Sequence, residues 1–139
     1  MALSAIQATP SGGLRPEELA VVRKLQARDR AVRAHEQAHL SAAGGLARGG
    51  PSYTYQRGPD GRVYAVGGEV SIDTSPVAGD PQATLAKARQ IQAAANAPSD
   101  PSPQDRTVAA AAAQMAAAAL QELARARQPE PGARIDLEG

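Results

Sequence analysis

The 139-residue chain contains no cysteine, phenylalanine or tryptophan, and only three tyrosines and two histidines. Without cysteine there is no disulfide framework, no thiolate metal site and no cysteine nucleophile. Three aromatic rings offer little for base stacking. A net charge of +1, from 15 basic and 14 acidic residues, gives no electrostatic footprint for nucleic acid. Long apolar runs are missing too: the longest, from Val108 to Ala119, is broken by Gln114 and is too short to cross a bilayer. Met1-Ala2-Leu3-Ser4 lacks the basic and apolar regions of a secretory signal. The expected partners therefore include neither nucleic acid nor membrane, and the default location is cytoplasmic.

What the chain has in excess is alanine, 32 residues by count. The larger apolar side chains are eight Val, four Ile, ten Leu, two Met and three Tyr. Such a set builds one thin core, and the length fits one domain. Residues 1–14 and 128–139 carry no apolar period and read as a flexible arm and tail, leaving 15–127 as a single domain.

Within that domain, Pro16, Glu17 and Glu18 suit the start of a long helix. Leu19, Val22, Leu25, Val32, His35 and His39 mark its inner face, with a polar gap at Arg28 and Asp29. Asp29 and Arg33, four apart, read as a minor surface pair. Gly44 and Gly45 supply the stop. The segments around Tyr53-Thr54-Tyr55 and Val63-Tyr64-Ala65 flank Gly58-Pro59-Asp60-Gly61, a turn sequence that predicts a β-hairpin. Gly67-Gly68 is expected to break or bulge the second strand, with Glu69 to Asp73 extended beyond it. Asp80-Pro81 opens a helix ending near Ala95. Ser102-Pro103-Gln104-Asp105 opens another, whose buried stripe is Val108, Ala112, Met115, Ala119 and Leu123. The expected fold is α+β: a long helix, a hairpin, then two further helices.

Both histidines fall in His35-Glu36-Gln37-Ala38-His39, an H-E-x-x-H sequence. Two histidines placed at random are four apart in about 1.4% of arrangements. On a helix this spacing puts both imidazoles on one face, where they can bind one Zn²⁺ and leave room for a third ligand and a water. Glu36 then lies beside the water as a general base. A pair of ordinary helix-face histidines, or a metal that only stabilises the fold, are the plainer alternatives.

No histidine remains to complete the metal shell, and the longer metzincin pattern fails at Ala42 and Gly45. The third ligand is therefore sought among carboxylates, tyrosines and waters. Glu69 is the first choice, because Gly67 and Gly68 before it allow close backbone approach. Glu69 and Asp73 also have the E-x-x-x-D spacing of Glu-type zincins, although Val70 and Ile72 favour a strand here. In a strand Glu69, Ser71 and Asp73 share one face, which makes Asp73 a rival ligand or an orienting partner for a histidine. Asp80 is a more distant rival that suits a helix cap better. Tyr53, Tyr55 and Tyr64 are candidates to stabilise an oxyanion or touch substrate, or else the bulky packing groups of a chain without Phe or Trp. A hairpin edge near the metal can also hold an extended peptide by strand addition.

The same residues carry a family resemblance. The stretch from Arg28-Asp29 through the H-E-x-x-H sequence to Gly44 resembles the bacterial SprA-related family of metalloproteases. So do Tyr53 and Tyr55, Gly58 to Gly61, Tyr64 to Val70, Ile72-Asp73, Ser75-Pro76, Asp80-Pro81, Ala97-Pro98 and Gln104-Asp105. The resemblance spans roughly residues 20–123. It implies a small zincin-like, metallopeptidase-like domain with one Zn²⁺ on His35 and His39, Glu36 as the catalytic residue and a peptide or protein substrate. The family's G-E-V motif falls on Gly68-Glu69-Val70 and supports a functional role for Glu69. A non-catalytic, metal-stabilised binding or regulatory domain is the alternative.

Overall fold

The computed structural model describes residues 13–127, and in it Pro16 opens α1 (Pro16–Ala43). The Glu18 carboxylate accepts the Arg15 N–H at 2.9 Å, satisfying one of the free donors at the helix start. At the other end Gly44, at φ +52°, turns the chain out and donates its N–H to the Leu40 carbonyl. Gln90 donates to the Ala43 carbonyl at 2.9 Å, so the last turn of α1 is tied to a later helix. A 3₁₀ turn (Gly44–Leu46) leads away.

The hairpin forms where the turn sequence placed it, joining β1 (Ser52–Arg57) to β2 (Val63–Glu69) in an antiparallel pair. Gly61 sits at φ +82° and donates to the Gly58 carbonyl at 3.0 Å, closing the turn. Gly67 and Gly68 do not break β2, which runs on through them to Glu69. The bulge comes one residue earlier: Thr54 pairs with Gly67 and Tyr55 with Ala65, leaving Val66 as the extra residue.

That bulge explains the polar gap in α1. A two-stranded sheet leaves the outer edge of β2 without a ladder partner, and α1 supplies polar side chains to it. Asp29 accepts the Ala65 N–H at 2.7 Å, and Arg28 donates to the Val66 carbonyl at 2.9 Å. Asp29 is therefore more than half of a surface pair. Its bonds to Arg33, at 3.0 and 3.1 Å, hold it in place against the strand.

The apolar contacts are correspondingly few. Val22, Leu25 and Tyr64 form one buried cluster, against which Leu14 and Val66 pack; Leu14 thus belongs to the packed domain although the pattern put it in the arm. Leu19, by contrast, is exposed. Asp80 caps α2 (Pro81–Ala95), accepting the Ala83 N–H at 3.0 Å. α3 (Pro103–Arg127) then packs along α2. Ala88, Ala94, Ala95, Ala112 and Ala119 are all but fully buried, and Ile91 is the largest fully buried side chain. Small residues let the two helices approach closely. Among the described residues no helix is long and apolar enough to cross a membrane. The architecture is α+β in the expected order of long helix, hairpin and two helices.

Candidate metal centre

The helical repeat of α1 brings His35 and His39 to one face, with their Nε2 atoms 3.2 Å apart. His39 is buried, and its Nδ1 lies 2.8 Å from the Ala94 carbonyl of α2. A carbonyl only accepts, so Nδ1–H donates and Nε2 presents its lone pair towards His35.

Asp105, in the first turn of α3, meets both imidazoles. Its Oδ2 is 3.0 Å from His35 Nε2, and its Oδ1 is 3.0 Å from His39 Nε2. The local sequence holds it there. Asp105 N–H donates to Ser102 Oγ at 3.1 Å, and Ser102 N–H donates back to Asp105 Oδ2 at 2.8 Å, a reciprocal cap at the helix start. Burial opposes ionisation of Asp105, but the Ser102 N–H and hydroxyl and the nearby His39 outweigh it and hold the carboxyl below its usual range.

Two lone-pair-bearing nitrogens and a carboxylate converging at such distances repel one another unless a cation lies between them. The edges of the triangle, 3.0, 3.0 and 3.2 Å, compare with about 3.3 Å for ligands placed tetrahedrally around Zn²⁺ at roughly 2.0–2.1 Å. Donor chemistry and spacing both fit a divalent metal, and among the described residues His35, His39 and Asp105 form the group that could hold one.

Beside this group lies Glu36. It is only 4% exposed, and its Oε1 is buried with no hydrogen-bond partner among the described residues. Its Cγ runs against Gly68, where a Cβ would come within 3.0 Å of it and within 2.9 Å of the Tyr53 ring. A glycine at 68 is therefore what lets β2 lie down on α1 here. Burial pushes the Glu36 carboxyl up, the two histidines oppose this, and the charges of Asp105 and Glu69 push it further up. His35, Glu36, His39, Glu69 and Asp105 all line one cleft between β2 with its extension and the 98–106 segment.

The remaining sequence candidates lie elsewhere. Glu69, the last residue of β2, is exposed on the cleft wall, outside the group of three. Asp73 accepts from Ser75 at 2.6 and 3.0 Å and pairs with Lys87 at 3.0 Å and Arg48 at 3.2 Å. Ser75 and then Lys87 hold it far below the usual carboxylate range. Asp80 is the α2 cap. Tyr64 is a core residue whose hydroxyl donates to Asp60. Tyr53 sits under the Arg33 guanidinium, 5.0 Å from its ring centroid, and tilts against Tyr55. None of the three tyrosines lines the cleft. Asp105 is the residue the sequence pattern did not single out. Its only local signal is Ser102 three residues before it, which reads as a helix cap.

No curated protein and no solved structure matches the chain. The model of the SprA-related family matches residues 13–134, nearly the whole chain and all of the site just described. The chain belongs to the SprA-related family.

Proposed function

We propose that this protein is a zinc-dependent peptidase in which His35, His39 and Asp105 hold one ion and Glu36 is the general base. The observation that carries the reading is the buried, unpartnered Oε1 of Glu36 beside three converging metal donors. A buried carboxylate oxygen without a partner is costly unless a ligand satisfies it. When bound, Zn²⁺ supplies a Lewis acid that lowers the pKa of coordinated water to about 7. Glu36 accepts the proton as the water oxygen attacks the peptide carbonyl carbon, and returns it to the amine as the C–N bond breaks. A carboxyl pushed up by burial suits this exchange, since the base must also act as an acid. Past Val66 the outer edge of β2 borders the cleft, so an extended peptide can add to it as a strand.

One observation favours a second reading, in which the ion clasps the fold and does no chemistry. α1 packs against β2 and α2, and α3 packs against α2, so the histidine–aspartate group is the main link between α1 and α3. The decisive comparison is between the wild type and Glu36→Gln, each loaded with zinc and assayed over a mixed fluorogenic peptide library. Glu36→Gln is expected to keep one zinc per chain and lose at least about 100-fold in hydrolysis, at the lower end of general-base contributions. Equal hydrolysis by the two would remove Glu36 from the chemistry. Binding of zinc with no hydrolysis by either would leave the clasp.

A further inference from the structure

The charges in the cleft do not close on the metal group alone. A divalent ion held with Asp105, next to Glu36, is already balanced by those two carboxylates. Two more carboxylates line the same cleft: Glu69 on β2 and Asp100 on the α2–α3 connection. Both are exposed, and neither forms an ion pair among the described residues. Arg28, the nearest basic residue of α1 on the cleft, is already engaged with the Val66 carbonyl. Glu69 also directly follows Gly67 and Gly68, so no side chain on that stretch of strand stands between it and a bound chain. Beside it, the orphaned Oε1 of Glu36 marks this part of the cleft as a place built for a ligand.

Resting on the peptidase reading, we propose that Glu69 selects the substrate by pairing with a cationic group, an alkylammonium or guanidinium, close to the scissile bond, with Asp100 adding to the same negative field. Glu69 is then a specificity residue and Asp105 the metal ligand. An alkylammonium can come from a lysine side chain or from the free N-terminus of a peptide; the chemistry at Glu69 is the same.

Binding rather than turnover tests this. Zinc-loaded Glu36→Gln protein, with and without Glu69→Gln, is titrated against fluorescein-labelled peptides. The peptides carry lysine, arginine, norleucine or glutamate at one position, each with a free or an acetylated N-terminus. With Glu69 intact, cationic peptides should bind about tenfold more tightly than their neutral counterparts, the effect of one charge-assisted bond. Glu69→Gln should reduce that preference to within about twofold, by the same reasoning. Zinc titration of Glu69→Gln alone should give the wild-type affinity. Loss of the preference on N-acetylation assigns the ammonium to the chain terminus, and loss on exchange of lysine for norleucine assigns it to the side chain; either supports the proposal. A charge preference that survives Glu69→Gln overturns it. So does a Glu69→Gln protein that no longer holds zinc, because Glu69 would then be a ligand, and so does failure of every cationic peptide to bind. A wild-type enzyme that binds cationic peptides through Glu69 but cleaves none would overturn the hydrolase reading and leave this one standing.

Discussion

Asp105 carries two duties that usually fall to different residues. Its carboxylate caps α3 through Ser102 and at the same time faces both imidazoles. Because the cap fixes its rotamer, the carboxylate is in place before any ion arrives, and little ordering remains to be done on binding. Asp105→Asn separates the duties. The amide oxygen can still accept from Ser102 N–H, so the helix start survives, but the charge that complements a cation is gone. Zinc affinity measured by competition with a chromogenic chelator is expected to fall by more than about 100-fold, beyond the roughly 10–100-fold seen when only an orienting partner is lost. An affinity equal to that of wild type would remove Asp105 from the ligand set and return the search to Glu69. The histidine pair was legible in the sequence because its spacing is local, four residues on one helix. Asp105 stands 66 residues beyond His39, and no spacing rule reaches across a hairpin and a helix. What brings it there is the packing of α3 on α2, which the alanine pattern announces only as a stripe.

At the level of elements, the hairpin and α1 are joined by polar groups where an apolar period leads one to expect solvent. Helical periodicity reads a gap such as Arg28-Asp29 as an outward turn because it assumes that partners are apolar. A strand edge is a different partner: it offers N–H and C=O groups, and charged side chains suit it. The hairpin turn, the helix starts at Pro16 and Pro81 and the stripe of α3 were all legible, because each depends on residues near in sequence. The bulge at Val66 was not, since it answers to α1. This polar seam makes the fold acid-sensitive. The Ala65 N–H, and then Arg33, hold the Asp29 carboxyl below its ordinary value. The Tyr64 hydroxyl does the same for Asp60, and Ser75 and Lys87 do so for Asp73. A carboxyl whose pKa is lower folded than unfolded stabilises the fold above the unfolded value, and that contribution is lost as pH falls through the folded one. Stability should therefore decline as pH drops below about 4, where unfolded carboxylates begin to take up protons. Asp29→Asn should melt several degrees below wild type at pH 7, with the gap narrowing towards pH 3 and closing below it. Loss of metal in acid is common to both proteins, so the difference between their melting curves isolates Asp29. A gap that stays constant with pH would mean that the Asp29 charge is not what holds the strand.

For the whole molecule, the question is what keeps three helices and a hairpin together around so little apolar volume. One small cluster under the hairpin and an alanine seam between α2 and α3 account for most of the buried apolar residues. Burial of Ala contributes much less than the roughly 1.5–3 kcal/mol of a fully buried Leu or Val. A bound ion changes this balance, because it binds the folded arrangement of α1 and α3 and has no comparable site in the unfolded chain. At a free zinc concentration 100 times the dissociation constant, the gain is about 2.7 kcal/mol. In a domain of this size that corresponds to a shift of about 10 °C in melting temperature. Removing the metal with a chelator should lower the melting temperature by about that amount, and adding zinc back should restore it. Hydrogen exchange should localise the change. Without metal, amides in the 98–106 segment and the first turn of α3 should exchange faster, while Ala65, held by Asp29, should keep its protection. Uniform loss of protection would mean that the ion supports the whole core and not the α1–α3 link alone. A melting temperature indifferent to chelator would mean that the three donors hold no ion in the folded protein, and the peptidase and clasp readings would fall together.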